Sequence, residues 1–157
     1  MILFLSNGHG EDLIATMIAR EVKAERESLD VVGFPLVGFG KPYIDAGIRV
    51  VGVQKTMPSG GFLRHGVRLM LQDIKAGLIG LTVQQIRHLK SMSESVRLTV
   101  SVGDIYPLFL SGRYVKSPVL CLSTAKSEYI KGHLCIERKF MRKYADLVLA
   151  RDERTGK

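Results

Sequence analysis

A chain of 157 residues with 46% hydrophobic content has the material for one full core, and so for one domain. Its 23 Lys and Arg against 15 Asp and Glu leave a net charge of +8, which draws it toward anionic partners such as lipid headgroups, nucleic acid or sugar phosphates. The glycine, proline and charged content excludes a collagen-like, coiled-coil or disordered chain. With no RRM, KH or zinc-finger signature and no aromatic-rich basic stripe, no nucleic acid partner is expected.

The apolar start Met1 to Leu5 breaks at Ser6-Asn7-Gly8, too short for a signal-peptide core and without a basic flank. No segment approaches the roughly 20 apolar residues of a membrane-spanning helix. Cys121 and Cys135 form neither a CxxC pair nor a disulfide framework. The expected location is the cytoplasm, either free or on the surface of a membrane.

Short apolar runs predict six strands, at Ile2 to Leu5, Val31 to Pro35, Ile48 to Val53, Leu98 to Val102, Val119 to Ser123 and Leu147 to Ala150. Between the first two, Leu13, Ile14, Met17, Ile18 and Val22 recur at helical spacing opposite Arg20, Lys23, Glu25 and Arg26, which predicts an amphipathic crossover helix. From Phe62 to Met92 one apolar stripe of Leu63, Val67, Met70, Leu71, Ile74 and Leu78, and a second of Val83, Ile86 and Leu89 after Gly77 and Gly80, predict two helices, or one broken there. A further helix is expected from about Pro107 to Tyr114, with the proline in its first turn, and a basic one from Glu137 to Tyr144. Strands and helices alternating in this way predict an α/β fold: a doubly wound, mostly parallel sheet of about six strands with helices on both faces. In such sheets ligands lie beyond the carboxyl ends of the strands.

The first strand runs into Ser6-Asn7-Gly8-His9-Gly10-Glu11-Asp12, a glycine-bearing turn that invites a dinucleotide reading. Leu13 stands where the third glycine of that fingerprint belongs, and Glu11 and Asp12 put two carboxylates at the helix end that a pyrophosphate would use. No nucleotide cofactor is therefore expected. Glu11 and Asp12 either stabilise the helix dipole, worth about 0.3 to 1 kcal/mol each, or join His9 in facing a ligand. Asp104 follows the fourth strand at a Gly-Asp turn, where it can cap the Pro107 helix or direct its carboxylate into a cleft as a general base. His9, His65, His88 and His133 lack metal-ligand spacing, so no metal is expected, and Ser59 and Ser123 lack a nucleophile elbow.

Arg64 and Arg68, beside Phe62 and Leu63, suit either a lipid headgroup interface or a solvated helix face. The denser cluster of Lys126, Lys131, His133, Arg138, Lys139, Arg142 and Lys143 suits an anionic lipid, a phosphorylated acceptor or plain solvent.

The opening loop Ser6 to Leu13 resembles that of the lipid A disaccharide synthase family, as does the run Pro35-Leu36-Val37-Gly38-Phe39-Gly40-Lys41-Pro42-Tyr43-Ile44-Asp45-Ala46-Gly47, a glycine turn and a small helix ending in Ala-Gly. Three further segments, Met57 to Phe62, Ser101 to Pro107 and Ala150 to Thr155, resemble a synthase-related subfamily of glycosyltransferase-like proteins, and the five occur in the same order along the whole chain. The resemblance implies a Rossmann-like domain over residues 1–157, equivalent to the N-terminal, acceptor-binding half of a GT-B glycosyltransferase, with the donor-binding half absent and no activity alone. It implies Asp104 as a catalytic residue, and His9, Glu11 and Asp12 as contacts to a sugar or lipid-linked acceptor. A nucleotide-sugar donor would be bound only with the second domain. The family's usual acidic start of the first loop is replaced here by Asn7, Gly8 and His9. The alternative is a non-catalytic basic module held to an anionic membrane or a protein partner.

Overall fold

The structure, a computed structural model, describes residues 1–8, 10–55, 77–124 and 134–152. Its elements are β1 (Ile2–Ser6), α1 (Gly10–Glu25), β2 (Val31–Pro35), α2 (Lys41–Asp45), β3 (Arg49–Val50), α3 (Leu78–Met92), β4 (Leu98–Gly103), α4 (Ile105–Tyr114), β5 (Val119–Ser123), α5 (Cys135–Tyr144) and β6 (Leu147–Ala150). The strands form one sheet in the order β3-β2-β1-β4-β5-β6, and every neighbouring pair is parallel. This is the doubly wound, Rossmann-like arrangement. The chain travels outward from β1 on one side and, from β4, outward on the other.

Alternation along β1 supplies both faces of the sheet. Phe4 packs with Ala15 and Ala19 of α1 and with Tyr43 of α2. Leu3 and Leu5 point the other way, onto Leu89 of α3 and Leu110 of α4. Farther along, Val119 and Cys121 of β5 meet Leu108 of α4, with Met141 and Tyr144 of α5 against them. β6 is the outer edge strand, where Leu147, Val148 and Leu149 stand exposed. Among the described residues no helix is long and apolar enough to cross a membrane.

Three details depart from the sequence expectation. The inward face of α1 is small and polar, with Asp12, Ala15, Thr16 and Ala19 buried, whereas Leu13 and Met17 are 55% and 60% exposed. Small side chains bring the helix close to the sheet, and the hydrogen-bonded Asp12 fixes its rotation. The third strand shrinks to Arg49–Val50, because Gly52 at φ +93° turns the chain against the Phe34 ring, where a Cβ would come within 2.6 Å. On α3 the buried stripe is Leu81, Gln85 and Leu89, while Val83 is exposed. Gln85 is tolerated there because its Nε2 donates to the Leu36 carbonyl at 2.6 Å. The first of the two helices expected between Phe62 and Met92 lies outside the described residues.

Candidate functional site

In a sheet of this order the switch point lies between the carboxyl ends of β1 and β4, which pair in register as far as Ser6 and Val102. Two turns meet there, one following Ser6 and one formed by Gly103-Asp104.

Behind the first turn runs a buried hydrogen-bond chain. Ser6 Oγ donates to Asp12 Oδ1 at 2.6 Å and lies 2.7 Å from the Tyr43 hydroxyl. A serine hydroxyl carries one proton, so the Tyr43 O–H is the donor to Ser6. The chain ties the end of β1, the first turn of α1 and α2 together. Tyr43 reaches this point because its ring lies flat on β2 at Gly33, where a Cβ would come within 2.6 Å of the ring. Burial holds the Tyr43 phenol far above its ordinary range, with the Asp12 charge adding to the effect and the Ser6 hydrogen bond opposing it.

The second turn carries Asp104. Its Oδ1 accepts the Tyr106 backbone N–H at 2.8 Å and so caps α4, and its Oδ2 accepts from Asn7 Nδ2 at 3.4 Å. Capping and a place beside the first loop are therefore combined in one carboxylate. Gly103, at φ +130°, permits the close approach: a Cβ there would sit 3.3 Å from Glu11 Cγ and 3.4 Å from Asn7 Cβ. The Asp104 charge is felt around it. Cys121 is pushed up to about 11, first by burial and then by this carboxylate, and Tyr106 is raised by burial and Asp104 against the opposing hydrogen bond from Thr82. The Tyr106 hydroxyl is 3.3 Å from Thr82 Oγ1 of α3, which anchors the base of the turn.

Of the residues singled out in the sequence, Asp104 and Glu11 converge at the switch point. Asp12 lies only 2% exposed in the Ser6–Tyr43 chain, so its carboxylate faces the packing between α1 and the sheet instead of a cleft surface. His9, Arg64 and Arg68 lie outside the described residues, while Arg138, Lys139 and Arg142 stand exposed on α5. Asn7, Ser6, Tyr43 and Tyr106 are members that sequence reasoning missed. Asn7 had a usable signal, since it directly follows a strand that ends at the switch point. Tyr43 had none, because its role depends on a glycine ten residues upstream in another element. Among the described residues no group of three or more His, Cys, Asp or Glu could hold a metal ion.

Fold and site together define a Rossmann-like α/β domain whose switch point presents carboxylates and an amide. Comparison with protein-family models and with curated proteins gave no match.

Proposed function

We propose that this domain is the acceptor-binding half of a glycosyltransferase related to lipid A disaccharide synthase, with Asp104 as the base that receives the proton of an acceptor hydroxyl. The observation that carries the reading is the position of Asp104: it is the first residue after β4 at the switch point, held by the Tyr106 N–H and by Asn7. In the transfer the acceptor oxygen bonds to the donor's anomeric carbon. The bond from that carbon to the diphosphate breaks with its electron pair leaving on the diphosphate, and the hydroxyl proton passes to Asp104. A carboxylate fixed on two sides supplies the alignment that such a proton transfer requires.

The polar groups of the described switch point favour an acceptor over a nucleotide. Asn7, Glu11 and Asp104 supply acceptor oxygens, and acids occupy the first turn of α1, where a phosphate cradle would keep its N–H groups open. A lipid-linked acceptor is favoured by α5. It returns from the carboxyl end of β5, so its N-terminal Leu134 and Ile136, each 55% exposed, lie at the same end of the sheet as Asp104. The donor, by the resemblance, belongs to a second domain.

Titration of the purified protein with octyl β-D-glucoside below its micelle concentration, followed by two-dimensional NMR, tests the reading. Shifts centred on residues 7, 11 and 103–106, without binding of uridine diphosphate glucose, are expected. Glucoside shifts confined to other surfaces, or none, would reject it.

A second reading is favoured by α5 itself, where exposed Leu134 and Ile136 adjoin exposed Arg138, Lys139 and Arg142: a basic amphipathic helix lying on an anionic membrane. Co-sedimentation with phosphatidylglycerol vesicles at low salt, weakening as salt rises, is its expected signature. A protein that stays in the supernatant at low salt excludes it.

A further inference from the structure

One polar atom at the switch point, the side-chain oxygen of Asn7, is used by neither the fold nor the proposed proton transfer. Asn7 is 5% exposed, its Nδ2 donates to Asp104, and its Oδ1 is buried with no hydrogen-bond partner among the described residues. The orientation of the amide is dictated by its neighbour, because the reverse would set Oδ1 against Asp104 Oδ2, acceptor against acceptor, at 3.4 Å. The carboxylate thus holds an unsatisfied carbonyl oxygen in place. A buried acceptor of this kind is destabilising, and a leucine would fill similar space without the penalty. Glycine at 103 lets Asn7 and Glu11 pack closely beside the turn, since any side chain there would press on both.

We propose that Asn7 is the specificity-determining residue of this site, its Oδ1 accepting a hydrogen bond from a hydroxyl of a neutral sugar. Asp104 acts on it as the orienting group. A bond formed to a ligand hydroxyl gives this buried oxygen the partner that no described residue supplies. A phosphate, which brings further acceptor oxygens and negative charge, meets Asn7 Oδ1, Asp104 and Glu11 as repulsive neighbours. The inference rests on the acceptor-site reading above and adds to it the ligand group recognised and the residue that recognises it.

The test follows the Asn7 side-chain amide resonances, assigned by their loss in Asn7→Leu, during titration with methyl α-D-glucopyranoside and separately with inorganic phosphate. The glucoside is expected to shift the Asn7 amide and phosphate to leave it in place. In Asn7→Leu glucoside affinity should fall about tenfold, the worth of one buried hydrogen bond, while stability stays level or rises, which a merely structural asparagine would not do. A monodeoxy glucoside series on the unaltered protein gives a readout independent of the variant: one deoxygenated position should abolish the Asn7 shift. Equal glucoside binding by both proteins, or no deoxy position mattering, overturns the role of Asn7 and leaves the acceptor-site reading standing. No glucoside binding at all, or an Asn7 shift with phosphate alone, overturns both.

Discussion

Ser6 gives its only hydroxyl proton to Asp12, 2.6 Å away, and can therefore meet Tyr43 solely as an acceptor. Direction along this chain makes its members unequal. Ser6→Ala takes a donor from Asp12 and an acceptor from Tyr43 at once, whereas Tyr43→Phe removes one donor and leaves the Ser6–Asp12 bond intact. Urea unfolding should show Ser6→Ala as the more harmful, with a loss of about 1 to 3 kcal/mol against about 0.5 to 1.5 for Tyr43→Phe. The reverse order would mean that the proton runs the other way.

The rotation of α1 gives a second expectation. Met17→Lys should leave stability within about 0.5 kcal/mol, since the side chain is mostly solvated, whereas Ala15→Leu presses into the contact with Phe4 and should cost about 1 to 3 kcal/mol. If Leu13, Ile14 and Met17 were the buried stripe, as hydropathy alone suggests, the two results would change places.

That inversion shows where sequence reading reached its limit. The strands were legible because each is a short apolar run closed by a turn, and their parallel pairing followed from helices alternating with them. Helix rotation was not, because hydropathy ranks Leu13 and Met17 above Ala15 and Thr16, while close packing on a sheet prefers small residues and one bonded aspartate. At the site, Asp104 could be recognised as a residue open to two roles, of which the structure shows the cap, while its second oxygen accepts from Asn7 of the first loop. Tyr43 and the orphaned oxygen of Asn7 could not be read from the sequence. They arise from register across the sheet, where Gly33 makes room for a ring and Gly103 for two side chains.

Alkaline pH should weaken the fold in a defined window. The Cys121 thiol is raised from 9.0 to about 11 in the folded protein, so between these values the unfolded chain has released a proton that the folded one retains. The unfolded state then binds fewer protons, and stability, unaffected below pH 9, falls as pH rises toward 11, by up to about 3 kcal/mol from this group alone. Tyr106 and Tyr43, both raised, extend the loss in the same direction above pH 10. Urea midpoints measured from pH 7 to 10.5 should be flat to pH 9 and then descend. In Cys121→Ala the first part of the descent should be shallower, and an unchanged slope would show that the thiol is not the group concerned.

The cap formed by Asp104 and its proposed role as a base can be separated by one pair of substitutions. Alanine removes the acceptor of the Tyr106 N–H and should cost about 0.5 to 2 kcal/mol, the usual worth of an N-cap. Asparagine caps as well as aspartate, so Asp104→Asn should keep the stability of the parent to within about 0.5 kcal/mol. It should keep it for a further reason. With its own oxygen on Tyr106, the introduced amide would turn an NH₂ toward residue 7, the Asn7 amide would then rotate, and its buried oxygen would gain the donor it lacks. That rotation withdraws the oxygen from a sugar hydroxyl, so glucoside affinity should fall about tenfold in a protein that is no less stable. Wherever transfer is measured, the loss of the base should add a drop of about 10² to 10⁴-fold in rate. Urea unfolding, glucoside titration and the rotated Asn7 amide resonances follow the three effects separately. An Asp104→Asn protein that keeps parental stability, parental glucoside affinity and, wherever transfer is measured, parental rate would leave the carboxylate a helix cap and nothing more.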